Sequence, residues 1–380
     1  MDDYHIEAPI HANSIVLPAL FAAAEQESVP IDGVSFLLAA IVGYETGPRV
    51  GLAVGGAHLL SLGWHSGAVF GPAAAAAAVC KLLNLPADTV EDAMGMACTQ
   101  ACGLMSAQYE SEVKRMQHGF AVRNGLLATF LARDGYKGIK KIFDREFGGF
   151  LSTFSLGSER EPRFDPEEVC KQLGEQWEIF KLRAKPYCLM AATHCTVDCV
   201  RKLQAEHPER MKQRNRITKI EAEMAQMAYK RAGWTAVRPL EVTGAQMSSP
   251  YAIALQLVDG EISPAKFASG TLNRDELWDV INKVECRAVD EFHLRWAQRV
   301  IVTFDDGEVL TALVDAPRGV DPPLSNEEIV QKWRTATKDV ISEKRQREIE
   351  EVVFNLENVA DVVGALKDLL GQNTIDIPME

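Results

Sequence analysis

Residues 63–79 read GWHSGAVFGPAAAAAAV, a glycine-flanked turn that leads into one of the most helix-prone runs of the chain. His65 lies in this turn, between Trp64 and a series of small residues. Because glycine has no side chain, the backbone of such a turn can approach a ligand closely. A histidine needed only for packing could lie equally well on a helix face. The stretch therefore indicates a histidine held for a ligand in a turn ahead of a helix.

Apolar residues with helical spacing occur on both sides of this stretch, among good helix formers. Asp88, with Glu91 three residues later, has the outline of a capping box. Small residues dominate the predicted helices, so these helices can pack closely into a mostly helical core. The predicted helices cover residues 14–26, 34–50, 73–85, 89–105 and 119–135.

The composition changes near Gly157, where a polar loop containing proline begins. Beyond it, Asp306-Gly307 lies between alternating apolar residues and predicts a β-hairpin over 298–315. The other elements predicted here are a short helix over 166–173, a helix after a turn at Pro186, a strand over 216–229 with helix as the alternative, a helix over 248–259 ended by Gly260, a helix capped by Ser325, and a helix over 352–370.

These patterns predict a mostly α protein with an inserted α+β domain. A length of 380 residues favours two domains, since domains commonly hold ~150 residues. We place the first part of the helical domain at 1–184, the α+β domain at 185–322, and a return to the helical domain at 323–380.

Composition excludes several classes of protein. No apolar run of about 18 residues free of charge occurs, so no membrane span is predicted. A net charge of −13 argues against nucleic acid as a partner. The start, MDDYHIEAPIH, is acidic and polar, unlike a secretory signal. We therefore expect a cytoplasmic protein that binds a small molecule.

Eight cysteines are present, and two pairs are spaced by one helical turn, Cys98 with Cys102 and Cys195 with Cys199. Cysteine and histidine ligands at the spacing of structural metal sites are absent, so buried thiols in a reducing compartment are the favoured interpretation and no metal is predicted. The chain also lacks GxGxxG, P-loop, HExxH and GxSxG motifs. This disfavours a dinucleotide enzyme, an NTPase, a zinc protease and an α/β-hydrolase.

Two groups of residues near the start and middle of the chain could carry chemistry. Asp2-Asp3-Tyr4-His5, followed by His11, puts carboxylates beside imidazoles, which orients or charges the imidazoles. A solvated terminus is the alternative, and the spacing alone favours it. Lys114 and His118 lie one turn apart on a predicted helix face, a cationic helix end suited to a carboxylate ligand. A solvated basic face explains that pattern equally well.

Two further candidates follow. Lys185 precedes a turn, and His194 lies at the start of the next helix, where a surface helix pair is the equal alternative. Tyr251 follows Pro250, and in isolation an ordinary core aromatic is the better interpretation. From these patterns alone the chain is a helical protein with an anion site.

Longer segments carry a resemblance to a known family. CTQACGLMSAQY and KRMQHGFAVRNGLL are long and specific, and similar segments cover nearly the whole chain. They resemble the MmgE/PrpD family, which includes 2-methylcitrate dehydratase and cis-aconitate decarboxylase, and within it they are most like the fungal decarboxylases. The matching segments are residues 2–23, 37–51, 63–71, 90–109, 113–127, 148–151, 245–260 and 326–335.

The resemblance implies a large helical domain with a smaller α+β lid domain, assembled as a homodimer. The implied active site lies between the domains, needs no metal or organic cofactor, and takes a small polycarboxylate. Members of the family can be mitochondrial, which leaves that compartment open beside the cytoplasm. The implied catalytic residues are His11, His65, Lys114, His194 and Tyr251. The implied substrate-binding residues are Asp3, Tyr4, Lys185 and His118.

For the reaction, the resemblance implies decarboxylation of cis-aconitate or an alkylated relative. Dehydration of 2-methylcitrate or another alkylcitrate is the alternative, with epimerisation of a related dicarboxylate a weaker one, because the same histidines and lysine could serve each reaction. Family members carry a further helical segment before the Asp2–His5 motif, so the resemblance also implies a shortened helical domain. A catalytically silent paralogue that only dimerises is the alternative of another class.

Overall fold

A computed structural model describes residues 2–292 and 296–371. Most of the described chain is helical. The α-helices are α1 Asn13–Gln26, α2 Gly33–Ala53, α3 Gly56–Ser61, α4 Ser66–Leu82, α5 Ala87–Cys98, α6 Val113–Arg133, α7 Phe150–Phe154, α8 His194–Glu206, α9 Pro208–Met211, α10 Gln226–Ala232, α11 Val242–Gln246, α12 Ser249–Asp259, α13 Ser269–Leu272, α14 Asp275–Ile281, α15 Asn326–Thr337, α16 Glu343–Phe354 and α17 Val362–Gly371. Short 3₁₀ helices cover Met105–Gln108, Pro166–Val169, Glu178–Lys181, Ala191–Thr193, Arg214–Arg216, Pro264–Phe267 and Leu356–Asn358.

Two sheets accompany the helices. The strands are β1 Asp3–His5, β2 Leu182–Ala184, β3 Ile217–Met224, β4 Val284–Ala288, β5 Gln298–Phe304 and β6 Val309–Val314. Strands β1 and β2 form an antiparallel pair, in which Asp3 lies opposite Ala184. The larger sheet has the order β4-β3-β5-β6, with β4 parallel to β3 and the other pairs antiparallel.

Helix α4 is the centre of the helical part, and Ala73 to Ala78 are all buried. Glycines on the neighbouring helices face these alanines. A methyl group added to Gly43 of α2 would lie 2.9 Å from the Ala78 Cβ, and one added to Gly125 of α6 would lie 2.5 Å from the Ala75 Cβ. These helices therefore pack backbone to backbone, which the small residues of the sequence predicted.

Buried apolar residues form two large clusters. One joins α1, α2 and α4 and also contains Leu356, Val362 and Leu366 from the end of the chain. The other joins the four-stranded sheet to α8, α12 and α14. The hairpin of β5 and β6, the end of α12 at Gly260 and the cap at Ser325 are as predicted, and Glu328 completes a capping box there. No helix in the described ranges is long and apolar enough to cross a membrane.

Several predicted elements differ in extent. Helix α4 begins at Ser66 rather than at residue 73, and α6 begins at Val113 rather than at 119. Helix α5 ends at Cys98, well before residue 105. The helix predicted over 166–173 is a 3₁₀ turn, and the strand predicted over 216–229 becomes helix α10 after Met224.

Two further predictions about where helices begin and end were also wrong. Pro86, not Asp88, precedes the first residue of α5, and the Glu91 carboxylate instead accepts a hydrogen bond from the Lys141 backbone. The helix predicted over 352–370 is interrupted after Phe354. The interruption lets the chain dock on the start of α2, where Gly33 donates to the Val359 carbonyl oxygen. A residue with a side chain at position 33 would clash with the Leu356 carbonyl group.

Candidate active site

A cavity of about 650 Å³ lies where the helical part meets the second half of the chain. Its wall comes from the N-terminal strand and loop, from α3, α4 and α6, and from the segments around residues 185–192, 227–231 and 243–247. Polar side chains cluster on one part of this wall. We call six of them the polar row: Asp2, His11, His65, Lys114, His118 and Lys185.

The turn before α4 fixes His65. Gly63 takes a φ of 91°, and the His65 backbone N–H donates to the Gly103 carbonyl oxygen at 3.0 Å. The imidazole caps α4, because its Nδ1 accepts from the Ala68 N–H at 3.3 Å. Only 2% of His65 is exposed. The turn thus holds the ring in one orientation, with Nε2 directed to the cavity wall.

Lys114 lies in the first turn of α6, and its Nζ is 2.9 Å from the Nε2 of His65. Burial and the nearby positive charge of Lys185 lower the Lys114 pKa to about 8. Because His65 accepts at Nδ1, its ring proton lies on Nε2 in this arrangement. The Nε2–H can donate to the Lys114 amine once that amine is uncharged, which the lowered pKa allows near pH 8.

His118, one turn further along α6, lies between His65 and His11. Its ring centre is 5.2 Å from each of those two rings. Its Nδ1 pairs with the Ser14 hydroxyl at 2.8 Å. Gly67 makes this position possible, because a methyl group there would lie 2.7 Å from the His118 Nε2. Burial and the neighbouring cations hold the pKa values of His65 and His118 well below the usual range.

The pairing of β1 with β2 brings the two ends of the polar row together. Lys185 follows β2, and its Nζ lies 2.7 Å from Asp2 Oδ1. Asp2 Oδ2 lies 3.1 Å from the His11 Nδ1. Burial opposes ionisation of Asp2, but the charges of His11 and Lys185 hold its pKa well below the usual range. Burial is the largest influence on His11 and lowers its pKa.

Asp3 and Tyr4, predicted to bind substrate, take different positions. The Asp3 carboxylate accepts from the Asn13 N–H at 3.1 Å, and its backbone oxygen is 2.8 Å from the His11 Nδ1. Burial, with the negative charge of Asp2, raises the Asp3 pKa to about 7. Asp3 therefore holds the loop, and Asp2 lines the cavity in its place. Tyr4 lines the cavity, 5.8 Å from the Trp296 ring centre.

His194 and Tyr251 do not line the cavity. His194 is fully buried at the start of α8 behind the segment 189–192, and its Nε2 is 3.4 Å from the Leu189 carbonyl oxygen. Burial lowers its pKa to about 3. Tyr251 is fully buried in α12, where its hydroxyl donates to the Leu272 carbonyl oxygen at 3.3 Å. The polar row gathers without these two residues.

Sequence reasoning missed several residues of the wall. Arg115 donates to the Thr243 hydroxyl at 3.1 Å and to the Gln246 amide oxygen, which joins α6 to α11. Gln108 is only 4% exposed, and its Oε1 has no hydrogen-bond partner among the described residues. Arg115 could have been found by its position beside Lys114. Gln108 carries no signal in the sequence, because only the fold turns it to the cavity.

The described residues contain no group of three or more histidine, cysteine or acidic side chains that could hold a metal ion. Cys98 is buried in α5, whereas Cys102 lies exposed beyond its end. Cys195 and Cys199 are both buried in α8. What the polar row offers instead is a set of cations and imidazoles, which is the chemistry that binds several carboxylates.

Comparison with known proteins identifies the family. Family profiles described as the MmgE/PrpD N-terminal domain and the MmgE/PrpD C-terminal domain match residues 1–163 and 187–358. The chain belongs to the MmgE/PrpD family. The profile match supports the resemblance seen in the sequence. Five residues of the polar row lie in the first matched region, and Lys185 lies between the two regions.

Several named relatives match almost the whole chain. The cis-aconitate decarboxylase-like protein oryM of Aspergillus oryzae is 46% identical over 384 residues, which cover 98% of this chain and 80% of that protein. A cis-aconitate decarboxylase of Aspergillus terreus is 44% identical, over 97% of this chain and 77% of its own length. The human cis-aconitate decarboxylase is 27% identical over 92% of this chain and 72% of its own length.

Proposed function

We propose that this chain decarboxylates cis-aconitate or a like tricarboxylate, without a metal ion or an organic cofactor. The polar row carries the proposal, because it sets two lysines and three imidazoles around one cavity beside a single carboxylate. Relatives named as cis-aconitate decarboxylases, similar over nearly the whole chain, support the same reaction. His65, Lys114, His11 and His118 would act on the substrate, and Asp2, Tyr4 and Lys185 would bind or position it.

The reaction needs an electron sink and one proton. When the methylene-bound carboxylate of cis-aconitate leaves as CO₂, its electron pair becomes an allylic carbanion, delocalised through the double bond toward a second carboxylate. Protonation of the far carbon of this allyl system moves the double bond and gives itaconate. Fixed cations near that second carboxylate stabilise the developing charge, and they do so strongly in a site from which water is excluded.

The His65–Lys114 pair can supply the proton. Burial lowers the pKa of both groups, that of His65 well below its usual range and that of Lys114 to about 8, and the charges of an arriving trianion favour their protonated forms. Substrate and proton therefore enter the site together. Nε2 of His65 then donates to the carbanion, and Lys114 restores the proton to His65 across 2.9 Å.

His194 and Tyr251, named as catalytic by the resemblance, stay predictions. Each would need a rearrangement of the segment in front of it before it could touch a substrate. His194 lies outside the cavity lining, and its Nδ1 is buried without a hydrogen-bond partner among the described residues. We assign neither residue a step in the reaction.

We further infer a homodimer in which residues 185–322 serve as the lid domain and 323–380 return to the helical domain. The contact of Leu356, Val362 and Leu366 with the helical core supports that return. Exposed apolar side chains on and beside α6 support a partner surface: Leu104, Met116, Leu127 and Leu131. A cytoplasmic location stays a prediction from composition.

Isotope release separates the candidate reactions. The purified chain is incubated with cis-aconitate labelled with ¹³C at the methylene-bound carboxylate, and separately with 2-methylcitrate. A decarboxylase releases labelled CO₂ from the first acid. A dehydratase instead releases an unsaturated tricarboxylate from the second, and no CO₂ from either. A folded chain that is inert toward both acids and all alkylated relatives would be a silent paralogue.

A further inference from the structure

Gln108 is a cavity residue whose side-chain amide has no partner in the fold. It lies on the cavity wall, and only 4% of the residue is exposed. Its Oε1 is buried without a hydrogen-bond partner among the described residues, and its Nε2 donates to none of them either. Buried amides are nearly always hydrogen-bonded, because an unpaired one loses the bonds that water would give it. Since Oε1 is the enclosed atom, Nε2 is the donor that this amide offers to a ligand in the cavity.

The segment that carries Gln108 is fixed on two sides. On one side, the Met105 N–H donates to the Gly63 carbonyl oxygen at 2.9 Å, in the turn before α4. On the other side, the Tyr109 backbone packs on α11, where a methyl group added to Gly244 would clash with the Tyr109 carbonyl oxygen. Gln108 is therefore held between that turn and α11, in a fixed place on the wall.

The hydrogen-bond donors around the cavity differ in charge. Four of the side chains on its wall belong to lysine or arginine, and these are Lys114, Arg115, Lys185 and Arg231. Gln108 offers a neutral N–H on the same wall. A tricarboxylate that fills the cavity would therefore meet both kinds of donor, a charged one and a neutral one.

The three carboxylates of cis-aconitate need different partners during the reaction. The bond from the methylene carbon to its carboxylate breaks, the electron pair stays on the allyl carbons, and the carboxylate leaves as neutral CO₂. A cation beside this departing group would stabilise the bound substrate more than the transition state, and so would slow the reaction. The two carboxylates that stay gain from cations, because the negative charge moves toward them.

We propose that Gln108 binds the departing carboxylate through its neutral amide, and that it thereby determines which of the three carboxylates leaves. This inference rests on the proposed function, because it concerns the same substrate and the same reaction. One hydrogen bond from Nε2 holds the carboxylate in the bound substrate and weakens as the charge of that carboxylate disappears. The polar row is left to the two carboxylates that stay. Gln108 is thus a specificity-determining residue that touches the substrate without moving a proton.

The first test removes the hydrogen bond and keeps the shape of the side chain. Gln108→Met preserves side-chain length but has no N–H to donate. Because the lost bond stabilises the bound substrate more than the transition state, KM for cis-aconitate should rise about tenfold while kcat stays the same or increases. A merely structural role of Gln108 would instead lower kcat together with thermal stability. Steady-state kinetics, with the formation of CO₂ as readout, measures this split.

The second test adds a charge. In Gln108→Lys an ammonium group replaces the amide, so the variant should bind a saturated tricarboxylate more tightly and yet turn cis-aconitate over more slowly. We expect Kd for tricarballylate, measured by calorimetry, to fall at least about tenfold, and kcat to fall by a similar factor. Gln26→Met and Gln26→Lys are the matched controls, since Gln26 is exposed at the end of α1 and lies outside the cavity wall. Both should keep the wild-type Kd, KM and kcat.

Failure of this inference and failure of the proposed function look different. If the wild type decarboxylates cis-aconitate and Gln108→Lys has an equal or higher kcat, the inference is overturned and the proposed function stands. An unchanged KM in Gln108→Met overturns the inference in the same way. If the folded wild type releases no CO₂ from cis-aconitate, the proposed function fails, and the assignment of a departing carboxylate to Gln108 fails with it.

Discussion

The charge of the Lys114 amine depends directly on the residues around it. Its pKa of about 8 lies below the usual 10.5, so its charge disappears as the pH rises through about 8, where an ordinary lysine stays charged. Since kcat/KM reports on the free enzyme, we expect it to fall about tenfold per pH unit above that value. A pH series with cis-aconitate measures this.

Arginine provides the control for this assignment. Lys114→Arg keeps a positive charge at every accessible pH, so the fall near pH 8 should vanish from the profile even where the absolute rate is lower. An unchanged fall in this variant would assign the titration to another group.

Gly67 is important because the imidazole ring of His118 lies directly beside it. In Gly67→Ala the new methyl group would lie 2.7 Å from His118 Nε2, and the Ser14 hydroxyl resists rotation of that ring. We expect kcat to fall by about tenfold to a hundredfold, since small displacements of reacting groups are costly. Stability should change little, because alanine favours helix.

Gly270→Ala is the comparison for that substitution. Gly270 lies in helix α13, and nothing is within 4 Å of an added methyl group. Its kcat should equal that of the wild type. Equal kcat values for both variants would show that the position of His118 is unimportant for the reaction.

Among the elements, the β1–β2 pair shows what sequence could not predict. Asp2 and Lys185 meet only because Asp3, near the start of the chain, pairs with Ala184, which follows the first helical part in the sequence. Strands of three residues have no periodicity to recognise, and a pairing between distant segments depends on the tertiary fold. The residue patterns therefore indicated the separate clusters, and only the family resemblance placed them in one site.

The helices were easier to predict than their ends. The apolar spacing and small residues of α1, α2, α4 and α6 identified the helical core, because local propensity and packing agree there. The start of α4 was missed because its cap is His65, which is not among the usual capping residues. His65 is therefore both an unusual N-cap and a residue of the proposed active site, so the departure from the usual capping residues coincides with the functional position.

The β1 strand is held by His5, which gives a test of this element. Its Nδ1 accepts from the Ala8 N–H at 2.9 Å, and its Nε2–H donates to the Glu178 carboxylate at 3.0 Å. Both side chains are buried. His5→Ala leaves these groups without a partner, so we expect a loss of about 1–3 kcal/mol in the free energy of unfolding.

The same variant should raise KM, because β1 positions Asp2 and Tyr4 beside the cavity. Denaturant unfolding and steady-state kinetics measure the two effects. His207→Ala is the control, since His207 is exposed and its removal should change stability by less than about 0.5 kcal/mol. The role of His5 would be refuted if both variants unfolded at the same denaturant concentration with the same KM.

For the whole molecule, the proposed homodimer has a defined test. Sedimentation should give twice the chain mass of 41.8 kDa for the wild type. Leu127 is 54% exposed on α6, and Leu127→Glu would place a charge within the proposed apolar contact. This variant should sediment as a single chain. A wild-type monomer would contradict the dimer, and a dimeric variant would move the interface elsewhere.

The most direct test of the proposed function is proton NMR of cis-aconitate incubated with the purified chain in deuterated water. The account predicts the two vinylidene signals of itaconate, with one deuterium on its saturated methylene carbon, where the proton from the His65–Lys114 pair is delivered. His65→Ala should lose these signals while keeping the fold. A folded wild-type protein that leaves cis-aconitate unchanged, or a His65→Ala variant that is fully active, would contradict it.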